Sequence, residues 1–418
     1  MKKKRYSAIF CMILIALFCN GCRKADIGAR DEGDDPAKET LTLMCIGTMS
    51  QEILDDAVEE FNRTNGYQVE IECEYYGDEE YKKELARRMA VNEEPDIFFS
   101  WQSGFLKVYA DRGKALNLEP YLSQDPFWTE ILGQDDFEGV SFQGKVYGIP
   151  LTKCITVVYY NREIFEKYQI EIPKTYQEFL DICSRLHQEG ILPLYLGSTP
   201  WSSGMLFLEL LRGTCGNELM QYESFEEIPW TAKRYQEAAK RLQELYQAGY
   251  IPEDFLGTEG TSQSVGDAAM QVGGNWFASW KNGTYGAFLF PPVKEENAGI
   301  ATGGGDRSFA IAAKCSHPEA AFQFLKLYSS EKYQSRVLYE ESNIPSRKLE
   351  IEKSKINPLL LECMELMGQA EGFCRYMDVR YGMEFGDLFN EGAQAILSGR
   401  DYREILEKME QYTLGDGR

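Results

Sequence analysis

Between residues 41 and 100, three short apolar runs alternate with two amphipathic stretches, and this alternation restricts the fold more than any other feature of the chain. Residues 41–47 (LTLMCIG), 69–76 and 96–100 read as strands. Residues 51–65 and 79–91 read as helices, the first with Ile53, Leu54, Ala57, Val58 and Phe61 on one face. Strands separated by helices of this length predict a parallel sheet covered on both faces. Ligands of such sheets sit beyond the carboxyl ends of the strands. That position makes Thr48, Met49, Trp101, Gln102 and Ser103 candidate binding residues.

A second stretch, residues 144–174, reads as a strand (146–149), a turn at Pro150, a second strand (154–160) and a helix (162–168) capped by Asn161. The αβ pattern then restarts, with helices over 176–188, 205–214 and 231–247 and strands over 192–196, 268–272 and 288–291. Residues 301–312 (ATGGGDRSFAIA) begin as a glycine-rich turn and become a strand, and 343–347 (NIPSR) form an extended proline segment. At 418 residues the chain exceeds the size at which a single core stops growing, so two domains are expected.

Acidic residues outnumber basic ones by 66 to 44, for a net charge of -22, and such a surface repels nucleic acid and anionic headgroups. Lys2, Lys3, Lys4 and Arg5 followed by an apolar stretch over 9–18 form an export signal. It ends in Gly21-Cys22, which resembles a bacterial lipobox with Cys22 as the lipidated residue. Cys19 stands where that pattern usually carries Leu, and soluble secretion is the alternative. Residues 22–40 read as a tether. No thiol lies in a Cys-x-x-Cys pair, and buried free thiols are the expected state.

The order of features resembles the family 1 extracellular solute-binding proteins, the lipid-anchored receptors of ATP-driven sugar importers, over nearly the whole mature chain. The resemblance rests on Glu94-Pro95-Asp96-Ile97 before Trp101, on residues 144–150 followed by Tyr159-Tyr160-Asn161, on Ala268-Ala269-Met270 leading to Gly273 and Trp276, on 303–306 followed by Ala310-Ile311, and on Pro318-Glu319-Ala320-Ala321 with Phe324-Leu325. It implies an α/β, two-lobed periplasmic-binding-protein-like fold of type II, each lobe a sheet flanked by helices and joined by hinge crossings near 151–154, 303–308 and 344–347. The expected division is a signal peptide over 1–21, the tether over 22–40, a first lobe of 41–152 plus 304–345, and a second of 153–303 plus 346–418. It also implies a carbohydrate ligand, ABC transporter permease subunits as partners, a lipid anchor in the membrane, a monomer, and neither cofactor nor metal.

Sugars offer C–H faces and dense hydroxyls, so their recognition needs aromatic faces and planar polar groups. Trp101, Trp201 and Trp276 each follow a predicted strand and are assigned to the ligand; Gly273-Gly274-Asn275 is expected to let the Trp276 ring project. Trp128, Trp230 and Trp280 are assigned to packing or surface. Gly304 and Gly305 present amides to a ligand and Asp306 accepts hydroxyl protons, or the glycines form a tight interlobe turn that Asp306 caps. Thr152 and Tyr160 are expected to border the cleft, and Arg347, Tyr376 and Asp378 complete the candidates, with Arg375 and Arg380 beside them.

Only two histidines are present, and neither His187 nor His317 neighbours a nucleophile or a metal-ligand cluster. A receptor rather than an enzyme is expected. The alternatives are a same-fold receptor for a peptide, polyamine or metal chelate, a ligand sensor for a signalling kinase, and a secreted carbohydrate-active enzyme.

Overall fold

The computed structural model describes residues 38–216, 218–222, 225–253, 255–257, 268–280 and 283–413. The expected export signal, Cys22 and the expected tether up to residue 37 lie outside the described residues, as does the side chain of Trp280. Fourteen strands are present among the described residues: β1 (Glu39–Ile46), β2 (Val69–Tyr76), β3 (Ile97–Trp101), β4 (Ser141–Phe142), β5 (Lys145–Val146), β6 (Ile149–Pro150), β7 (Thr152–Asn161), β8 (Leu194–Tyr195), β9 (Met270–Gly274), β10 (Tyr285–Phe288), β11 (Ile300–Gly305), β12 (Arg307–Ile311), β13 (Ile344–Pro345) and β14 (Gly372–Cys374).

Five of them form one sheet in the order β2-β1-β3-β12-β6. The β1, β2 and β3 pairings are parallel, while β12 joins antiparallel to β3. The helix Gln51–Thr64 starts where the Ser50 hydroxyl accepts from Ile53 N, and it buries Ile53, Leu54, Ala57, Val58 and Phe61. Those side chains join Leu41, Leu43, Ile97, Phe99, Phe309 and Phe324 in a single core. Each fully buried side chain of this size contributes roughly 1.5–3 kcal/mol.

The other large sheet runs β14-β11-β7-β9-β8, with β10 and β13 also paired to β7. Successive side chains of a strand point to opposite faces, and β7 shows it. Cys154 and Val158 enter one core with Phe179, Phe207 and Phe389, whereas Ile155, Val157 and Tyr159 enter another with Phe277 and Leu360. Thr175 and Glu178 form a capping box that starts the helix Tyr176–Gln188. The helix Pro200–Cys215 opens earlier than its apolar run alone predicts, because Thr199 caps it and Pro200 takes its first position.

Several features depart from the sequence reading, two of them at the crossing between the sheets. Pro150 is no turn: it belongs to β6 and pairs with Ser308. Residues Gly303–Gly305 are no turn either, since they pair as strand β11 with Ile155, Cys154 and Lys153 of β7. All eight cysteines among the described residues are free thiols, five of them buried. No helix among the described residues is long and apolar enough to cross a membrane.

Candidate functional site

Three chain segments pass side by side between the two sheets. Leu151 separates β6 from β7, Asp306 separates β11 from β12, and β13 lies alongside. They are tied together at one place. Gly305 and Ile344 both pair with Lys153, Leu151 N donates to Arg307 O (2.8 Å), Asp306 N to Thr152 O (2.9 Å), and Ser346 N to Leu151 O (2.8 Å). The candidate site is built around this junction.

Beside the two roles left open for Asp306, the structure gives its carboxylate partners within the junction. Its Oδ2 accepts from the Thr152 hydroxyl (3.3 Å) and stands 3.5 Å from Arg307 Nε. Burial raises its pKa, against the opposing pull of Arg307 and of the Thr152 bond. Gln102, 1% exposed, lies across Gly305: a Cβ there would fall 2.1 Å from the Gln102 Oε1. The amide nitrogen of Gln102 donates to Arg307 O (3.3 Å), while its Oε1 is buried without a partner. Gly303 and Gly305 therefore make room for close neighbours. A Cβ on Gly303, whose φ is 143°, would meet Cys154 O at 2.1 Å. Gly304 has a φ of 108° and faces Phe373.

About 13 Å further along β7, at the rise of a strand, Thr156 marks a second group. Its hydroxyl bonds that of Tyr376 at 2.5 Å. The Tyr376 ring stands 5.8 Å from Trp201 and 6.3 Å from Trp276, and Trp201 is 5.8 Å from Trp276, all three pairs tilted. Burial pushes the Tyr376 hydroxyl well above its ordinary range, so it remains a neutral donor and acceptor. The Trp276 ring does not project from its turn as expected. It folds back over Gly274, where a Cβ would sit 2.1 Å from it, and Asn275 fixes the turn by accepting from Ile155 N (3.0 Å).

Trp101 closes β3 at its carboxyl end and packs against the cores of both sheets. Its ring meets Phe99, Tyr81 and Phe105, and Lys82 Nζ lies 5.4 Å from its centroid. Asp378 lies in the first turn of the short helix Met377–Tyr381 and accepts from Val379 N; burial raises its pKa, and nearby Lys82 opposes that shift.

Three candidates lie elsewhere. Tyr160 lies apart from Thr152, with eight residues of extended strand separating them by about 26 Å. Its ring packs on Phe165 (4.5 Å) and lines a surface groove with Arg162, Gln169 and Ile172. Arg347 donates to Ser329 O (3.0 Å) and lies over the Phe127 ring, with burial lowering its pKa, so it serves packing. Thr48 is exposed and donates to Asp78 (2.9 Å), joined to neither group. Sequence reasoning missed Thr156, Asn275 and Arg307. Asn275, directly before Trp276, carried a signal as a turn residue; the other two carried none.

Two sheet-centred lobes joined by paired crossing strands, with rings and buried polar groups at the junction, define a two-lobed receptor fold of type II. Residues 48–335 match the model of the family described as bacterial extracellular solute-binding protein, and the chain belongs to that family. It is 25% identical over 364 residues to the diacetylchitobiose binding protein DasA of Streptomyces coelicolor, covering 83% of each chain. It is 26% identical over 235 residues to a multiple sugar-binding protein of Streptococcus mutans, covering 51% of this chain and 54% of that protein. Among solved structures it superposes with a TM-score of 0.79 and 25% identity on one from work on xylan utilization by the thermophilic bacterium Caldanaerobius polysaccharolyticus, covering 89% of this chain and 99% of that one.

Proposed function

We propose that this protein captures a carbohydrate outside the cytoplasm and delivers it to the permease of an ABC transporter. One observation carries the reading: Trp201, Trp276 and Tyr376 gather on one lobe within 6.3 Å of one another, against the strand β7 that leads from the buried polar groups of the crossing segments. Tilted indole and phenol faces suit the C–H faces of pyranose rings, and Gln102, Thr152 and Asp306 suit hydroxyls. Relatives named for diacetylchitobiose and for multiple sugars support the same class of ligand. Attachment of the mature chain to the membrane through lipidated Cys22, as a monomer, belongs to this proposal.

Thermal melting of the protein with diacetylchitobiose, longer chitin and xylan oligosaccharides, peptides and polyamines tests it. A saccharide that raises the midpoint with concentration, as linkage requires, supports the assignment. A midpoint that moves only with a peptide or polyamine overturns it.

A further inference from the structure

Besides the pairing of the crossing strands and the packing of Trp101, the two lobes approach each other at several further places, and three of these do not use the ring group. Arg375 follows β14 on the lobe of the seven-stranded sheet. Its Nη2 donates to Glu138 Oε2 (3.1 Å) and its Nη1 reaches Gly305 O (3.5 Å). Glu138 belongs to the other lobe, on a 3-10 segment (Gln134–Val140) whose Val140 enters the core of the five-stranded sheet. Arg375 is 12% exposed and Glu138 75%, so the guanidinium is sunk at the interface while its partner reaches in from the surface.

The second contact is backbone on backbone. Gly104 opens the helix Gly104–Asp111, whose Leu106 packs into the first lobe, and it lies against Gly382 after the helix Met377–Tyr381 of the second. A Cβ on Gly104 would fall 2.5 Å from Gly382 N and 2.8 Å from Arg380 O. These are backbone atoms that cannot swing aside, so any side chain at 104 holds the lobes apart. The third contact is electrostatic: Lys82 of the first lobe acts on Asp378 and Asp387 of the second.

We propose that Arg375 with Glu138, and Gly104 with Gly382, form a closing latch that sets how much of the empty receptor is closed. Arg375 and Gly104 act as positioning residues. Their contacts are made within the chain, so the latch operates whatever ligand the cleft takes. An open-closed equilibrium biased in this way scales the apparent affinity for every ligand by a common factor, since binding draws on the competent fraction.

Small-angle scattering of the protein without added ligand tests the latch independently of the sugar assignment. Gly104→Ala and Arg375→Ala should shift the curve to a larger radius of gyration, and Arg375→Lys, which keeps the charge, should restore part of the wild-type value. The wild type should also expand as salt rises from about 0.05 M to about 1 M, where screening becomes severe. Glu138→Gln should start expanded and respond less. Glu138 is exposed and its variant is expected to keep the fold, so it decides the matter if circular dichroism finds Gly104→Ala unfolded. Superimposable curves for wild type, Glu138→Gln and Arg375→Ala at both salt concentrations overturn the latch.

Discussion

Asp306 and Thr152 bind each other twice across two of the crossing strands, once through the backbone at 2.9 Å and once through their side chains at 3.3 Å. The carboxylate is thus fixed at the place where the chain passes between lobes, in surroundings that disfavour its charge.

That placement makes stability depend on pH. Burial raises the folded-state pKa of Asp306 above its ordinary value. The protonated acid is favoured by folding, and its contribution is present at acid pH and lost as pH rises through the elevated pKa towards neutrality. Asp306→Asn removes this dependence while leaving an oxygen for Thr152. Its melting temperature relative to wild type should climb between acid and neutral pH. A constant difference would show that Asp306 titrates normally.

The ring group predicts a binding phenotype with little structural cost. Trp276 and Trp201 are partly exposed, and each contributes two of the three ring contacts described. Substituting either by Ala should weaken binding of the saccharide selected by the melting screen at least about tenfold, roughly 1.4 kcal/mol. Titration calorimetry measures it, with circular dichroism as control. Unchanged affinity would remove that ring from the site.

A buried ion pair supports the same lobe. Arg212 and Glu209 are 2% and 1% exposed and meet at 2.9 Å, and Arg212 also donates to Ile300 O and Phe290 O at 2.5 Å each. It ties the helix that begins beside Trp201 to the start of β11. Arg212→Ala leaves Glu209 charged and unpaired, and should cost about 3–5 kcal/mol in urea denaturation. Removing both charges, as Glu209→Gln with Arg212→Met, should recover part of that loss.

The anchor is tested in cells. Cys22→Ala should move the protein from the membrane fraction to the medium or periplasm. Continued sedimentation with membranes would sink the proposed lipidation.

Much of the fold was legible because its signals are local. The apolar runs of β1 and β3, the β-branched run of β7, and Asn161, whose side chain accepts from Glu163 N and Ile164 N, all act within a few residues. Leu118 stands in no periodic apolar run, yet it is fully buried and donates its amide to Val146 O. The triple glycine misled. Glycines usually mark turns, but here they mark close approach, with Cys154 O above Gly303 and the Gln102 side chain across Gly305. In the site, Trp201 and Trp276 stood out as exposed-type aromatics beside predicted strands. Arg375 and Glu138 carry no local pattern, because they are 237 residues apart in sequence.

The meeting of three strands at Lys153 bears on how such a molecule moves. A single connecting strand swivels about its own axis and lets the lobes twist freely. A ribbon three strands wide, bonded edge to edge, bends across its face but resists torsion and splay. Opening would thereby be confined to one arc. Along it Trp101 on one lobe and the Trp201, Trp276 and Tyr376 rings on the other would retrace the same path each cycle, the ribbon setting the direction of travel and the contacts of Arg375 and Gly104 its resting point.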